Sequence, residues 1–248
     1  MSQGIAISQA PASISHSISR LSREALLRMA DAGVKAVACI RDLHARRSNL
    51  VIEVLRGCSD FTEWEHYPPG DVRDPKSQAQ YYFHAHPTNE RTNPDYGHFH
   101  LFMRQKGTVA GIWPGKNIPF AADDDTQSHL IAISMSPAGM PERLFTTNRW
   151  VTGEAWFKAA DVIRMLDRFV IDLDHPSRAL NDWLTAMLVL FRLQIEGLLA
   201  ERDCAILQWQ ADHAETDVFE DRRLEITSSQ EISLYNQIEW LDRELSAG

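Results

Sequence analysis

The chain predicts an α+β fold: an antiparallel sheet over about residues 79–148, packed with an N-terminal helix and a C-terminal set of long helices. Three observations carry this. The hydrophobic period is helical before residue 45, changes to two between Gln78 and about Asn148, and returns to helical from Ala159. Turn-forming clusters divide the middle region into strand-length pieces. No repeat or long linker interrupts the 248 residues, so residues 20–248 read as one domain behind a flexible tail, residues 1–19.

From about Leu21 to Leu43, apolar residues recur at Leu26, Met29, Gly33, Val37, Ile40 and Leu43. Steps of three and four mark one helix face, with Ser22 or Ser19 as N-cap. Residues 64–75 (WEHYPPGDVRDP) carry Pro-Pro-Gly and two aspartates, and read as a loop. YYFHAH (81–86), HFHLFMR (98–104), HLIAISM (129–135) and RLFTTN (143–148) alternate and are rich in aromatic and β-branched residues, as strands are. Val162, Met165, Leu166 and Phe169 mark a short helix. One long helix is expected from about Arg178 past Trp209, apolar nearly all round at 183–193 and therefore central, and a last one over Ile232 to Leu245.

Composition excludes several functions. A net charge of −9 argues against a surface built to neutralise nucleic-acid phosphates. The last 48 residues hold 12 acidic side chains against 4 arginines, which reads as a solvated helical face. Three cysteines without a CxxC pair supply neither a disulfide framework nor a zinc ribbon. The stretch Trp183–Leu199 is interrupted by Arg192 and Glu196, short of a clean bilayer span. Residues 1–19 lack the basic start and apolar block of a secretory signal. The expectation is a cytoplasmic protein with no nucleic-acid or membrane partner and a small-molecule ligand; homo-oligomerisation stays open. Gly107, Gly111 and Gly115 before Lys116 are wrongly spaced for a P-loop, and no Gly-x-Ser-x-Gly elbow occurs.

Four of the ten histidines fall within seventeen residues, as two His-x-His pairs: His84 with His86, and His98 with His100. Alternation puts each pair on one face of its strand, with Tyr82, Phe102 and Arg104. Tyr81, Phe83, Ala85, Phe99, Leu101 and Met103 take the opposite, core-facing side. A hairpin pairing His86 with His98 also pairs His84 with His100, and stands the four imidazoles in a square about 5–7 Å on a side. Such a square can converge on a divalent transition metal: iron, zinc, copper or nickel rather than magnesium or calcium. Three ligands with His100 as fourth ligand or supporting group would leave an open position, as catalysis requires. Tyr82 and Arg104 are the candidates for proton transfer and anion binding. His66, Glu90 and His129 are further candidate ligands. Imidazole ligands must be neutral, so metal affinity should fall below roughly pH 6.5. The alternatives are a non-catalytic metal-binding or sensing protein, and a metal-free module for an anionic ligand or protein partner.

Two resemblances follow from these residues. His84-x-His86, then Glu90 after three residues and Gly97 after six more, resembles the first half of the cupin metal motif, which implies two histidines and a glutamate on a metal inside a small β-barrel. Gln78 stands where that motif has a glycine, and its second half has no match. Trp64-x-His66-Tyr67-Pro68, Asp71-Val72, residues 81–86, Gly97–His100 and residues 146–151 (TTNRWV) are similar to an uncharacterised bacterial family. That resemblance covers the chain from about Leu26 and implies no activity.

Overall fold

The computed structural model describes residues 21–87, 96–104 and 126–247. Helix α1 (Arg23–Ala45) starts where the Ser22 hydroxyl accepts the Ala25 N–H at 3.1 Å. Its buried stripe is Met29, Ala32, Gly33, Ala36 and Leu43. Val37, expected inside, lies outside that stripe and is exposed. A short helix α2 (Leu50–Val54) follows, capped by Asn49.

The sheet has six strands in sequence order, every neighbour antiparallel: β1 (Tyr67–Arg73), β2 (Ala79–His84), β3 (Gly97–Arg104), β4 (Gln127–Met135), β5 (Pro141–Thr147) and β6 (Ile226–Glu231). The antiparallel sheet packed with helices is the α+β fold expected. Among the described residues β1 and β6 are unpaired edges, so the closed barrel implied by the cupin likeness is not formed.

Two strands were not foreseen. The segment read as a loop is β1. Tyr67 pairs with Phe83 and Val72 with Tyr81, so residues 68–71 bulge out opposite Tyr82 alone. Pro68 and Pro69 cannot donate to a ladder, and the bulge on an edge strand accommodates them. Strand β6 has no apolar alternation because hydroxyls hold it: Thr146 Oγ1 lies 2.6 Å from Ser228 Oγ and 2.7 Å from Thr227 Oγ1, and Ser228 donates to the Leu198 carbonyl.

After β5 come α3 (Arg149–Thr152), α4 (Ala159–Leu166), α5 (Arg178–Leu190), α6 (Arg192–Asp212) and, beyond β6, α7 (Leu234–Ala247). The single long helix expected past Trp209 is two helices meeting at 71° at Phe191. Neither Pro nor Gly causes the bend. Side chains fix it: Gln237 donates to the Leu190 carbonyl at 2.9 Å, and Arg192 donates to the Ile163 carbonyl and pairs with Asp167. No single helix among the described residues is long and apolar enough to cross a membrane. The bent pair passes that test by composition, yet Trp183, Leu184, Met187 and Leu190 are buried in the protein.

The core lies between one face of the sheet and α5. Tyr81, Phe83, Phe99, Leu101, Met103, Ile131 and Ile133 are fully buried there with Trp183 and Met187. The Tyr81 hydroxyl donates to Asn181 Oδ1 at 2.6 Å, which satisfies its one polar atom inside that layer. Gly97 lets β3 start against β2. At its φ of +139°, an added Cβ would meet the Phe83 ring and stand 2.8 Å from the His84 carbonyl oxygen. Gly97→Ala should therefore lower stability by about 1–3 kcal/mol, read as a shifted midpoint in urea unfolding. An unchanged midpoint would show that the hairpin has slack there.

Candidate metal centre

Register decides which imidazoles meet. On β2 and β3, His84 faces His98, Tyr82 faces His100 and Gln80 faces Phe102. The expected pairing of His86 with His98 is therefore displaced by two residues. Strand β2 ends at His84, and the Ala85 carbonyl instead accepts the Trp64 N–H at 2.9 Å, drawing the chain toward the segment before β1. A shift of two preserves faces, so the histidines keep the side opposite the α5 core. The four rings close a lozenge rather than the expected square, with sides of 4.8, 5.2, 4.9 and 5.2 Å and with His84 and His98 on its 4.6 Å diagonal.

His84 and His98 are the centre of the cluster. His84 Nε2 lies 2.8 Å from His98 Nε2, with ring centroids 4.6 Å apart and nearly perpendicular. The His86 ring is 4.8 Å from His84 and 5.2 Å from His98. One ring nitrogen from each of His84, His86 and His98 falls within 4.8 Å of the others, so this trio can hold a metal ion. His84 and His98 are buried and His86 is half-buried. The Trp64 indole stacks on His86 at 4.2 Å and 22°, with its own backbone at φ +73°. A non-glycine residue held there is conformationally costly, and here it lies beside the histidine trio.

His100, expected to converge with the trio, pairs backward. Its ring is 4.9 Å from His98 and 5.2 Å from His84, but its Nδ1 lies 3.0 Å from Nε2 of His129. A bulge makes this possible: Leu101 pairs with Ile131 and Phe102 with His129, skipping Leu130. Without the extra residue, His129 would point into the core. Burial, the nearby His98 and the other rings hold His100 well below the usual imidazole range, and burial with the Arg202 charge pushes His129 down to about 3. Both are neutral rings near pH 7, and the two facing nitrogens share one proton.

Tyr82 lies where expected, on the same face as the cluster. His66 stacks on it at 3.6 Å, and the His84 and His100 rings are 5.4 and 5.2 Å away. Burial, with the charges of Asp71 and Glu154, pushes its phenol far up, so Tyr82 is a proton-bearing donor and not a base. Arg104 stands at the other end of β3 and donates to Gln80 Oε1 at 3.0 Å. Gln80 donates to Asp71 Oδ2 at 2.7 Å, and Asp71 Oδ1 lies 3.1 Å from His66 Nδ1. His66 and Arg104 are thus the two ends of one polar chain along the β1 side of the face. Glu90, like the glycine run 107–115, lies outside the described residues.

Glu154 was not anticipated from the sequence. It follows α3, is fully buried, and accepts the His129 backbone N–H at 2.7 Å. Burial pushes its carboxyl up to about 7, against the opposing pull of Arg202 and of that N–H. No spacing or motif marks it; only the packing of residues 154–157 along β4 reveals it. The folded value exceeds the ordinary 4.5, so the folded protein binds this proton more tightly than the unfolded chain. The stabilisation is complete below about pH 4.5 and is lost as pH rises through about 7. Glu154→Gln, which keeps an acceptor for His129, should be more stable than the parent above pH 7, by up to roughly 3 kcal/mol. The difference should vanish near pH 4.5, as urea unfolding at the two pH values would show.

The fold and the site together define an α+β protein with a buried imidazole cluster on the polar face of its sheet. The chain belongs to the family described as "Domain of unknown function (DUF6969)", whose family model matches residues 30–232. No curated protein matches the chain, and no solved structure matches it.

Proposed function

We propose that this protein is a metal-dependent enzyme in which His84, His86 and His98 hold a divalent transition metal and a small polar substrate is turned over beside it. The observation that carries the reading is the trio of ring nitrogens within 4.8 Å, two from buried strand ends and one from a half-buried residue. An all-imidazole donor set suits iron, zinc, copper or nickel. Three protein ligands leave a position for water or substrate, and the half-buried His86 marks the approach. When bound, the metal would supply Lewis acidity and lower the proton affinity of a coordinated group. The chain supplies the surroundings: Tyr82 keeps a donor proton beneath the rings, Asp71 orients His66, and burial with the neighbouring rings keeps His100 neutral, its Nδ1 facing His129.

The 2.8 Å separation of His84 and His98 is shorter than the roughly 3.4 Å that two nitrogens keep in tetrahedral coordination at 2.1 Å. The pair as it stands shares a proton, and a metal would replace that proton while the rings part by about half an ångström. The same contact favours one rival: a metal-free module whose histidines recognise an anionic ligand.

Elemental analysis of protein purified without a histidine tag separates the two. The expected result is stoichiometric transition metal, falling at least tenfold in His84→Ala and His98→Ala while far-UV circular dichroism is unchanged. Metal-free native protein that also takes up no added zinc would sink the enzyme reading in favour of its rival.

A further inference from the structure

On the side of the molecule formed by α1 and α7, the two helices run antiparallel and leave an apolar groove. Arg23 at the start of α1 donates to the Leu245 carbonyl near the end of α7. Midway, Gly33 brings α1 close to its neighbours: a Cβ there would lie 3.3 Å from both Ile238 Cγ1 and Leu190 Cδ1. Beside this approach are two adjoining hollows of about 440 and 320 Å³, sharing Val37, Ile238 and Asp242 in their walls. Apolar side chains stand out of the groove into solvent: Val34 is 71% exposed, Val37 42% and Tyr235 73%. Val37 belongs to the face of α1 that periodicity would bury, Val34 lies beside that face, and Tyr235 is on α7. Nothing in the monomer's packing requires them to be apolar.

The groove's charges point to its occupant. Arg41 lines it from α1, and Asp242 and Glu239 line it from α7. Arg41 and Asp242 border the same hollow, yet among the described residues neither takes part in an ion pair within the chain. Glu239 is paired with Arg243 on its own helix, so the uncommitted charges are Arg41 on one wall and Asp242 on the other; with an apolar floor between them, such a surface complements a copy of itself about a two-fold axis. We propose that a second copy of this chain docks here, the two antiparallel helix pairs closing into a four-helix arrangement with each Arg41 facing the other copy's acidic wall. The inference is independent of the metal reading.

Light scattering coupled to size exclusion, with sedimentation equilibrium on the full chain, tests it. The native protein should run at twice the chain mass. Arg41→Glu should raise the dimer dissociation constant about tenfold or more, and Asp242→Arg likewise. The double variant Arg41→Glu/Asp242→Arg should restore the dimer, which a loss of folding could not do. Val34→Asp with Tyr235→Glu, both at exposed positions, should give a folded monomer by circular dichroism. A native monomer, a dimer indifferent to these changes, or a double variant that fails to recover would overturn the proposal. So would a monomer in which Val34→Cys is shielded from thiol reagents until residues 1–20 are removed, since the groove would then belong to the chain's own N-terminal segment.

Discussion

Everything at the candidate site rests on the two-residue period of β2 and β3, which sorts one chain segment into two chemistries. Tyr81, Phe83, Phe99, Leu101 and Met103 are buried against α5, and that burial is the main stabilising contribution of the hairpin. The same alternation forces His84, His98 and His100 together on the reverse face, where they are also buried. Buried imidazoles are tolerable only when neutral and partnered. His100 and His129 are held neutral by burial and face each other, and His84 and His98 are partners through their Nε2 atoms. The cluster thus occupies the face that the core's periodicity leaves over.

Two bulges place the groups around that cluster. The bulge at Leu130 turns His129 outward from the core. The bulge of residues 68–71 carries Asp71 to where it can accept from Gln80 and face His66. Asp71 adopts φ +59° in doing so, and Trp64 φ +73°. Of the four non-glycine residues at positive φ among the described residues, these two lie on the arm that borders the histidines, where a positioned side chain is worth its conformational cost.

Much of this was legible in the sequence. The periodicity of residues 81–86 and 98–104 gave the faces, because face depends only on odd or even position. It did not give the register, because that depends on where β2 stops, and β2 stops where Trp64, twenty residues upstream, captures the Ala85 carbonyl. Strand β1 was hidden by Pro68 and Pro69, which a bulged edge tolerates and an ordinary ladder does not. Strand β6 was hidden because its hydroxyls, not apolar side chains, hold it. The bend at Phe191 had no local signal, since the residues that fix it, Gln237 and Arg192, act across tertiary distance or after the break. Glu154 had none for the same reason: its partner is a backbone N–H on another strand.

That bend also ties the end of the chain to its middle. The Leu190 carbonyl at the break is satisfied by Gln237, a residue of α7. The junction of the two central helices is therefore stapled from the last helix, and lifting α7 away would leave that oxygen an orphaned helix-end acceptor.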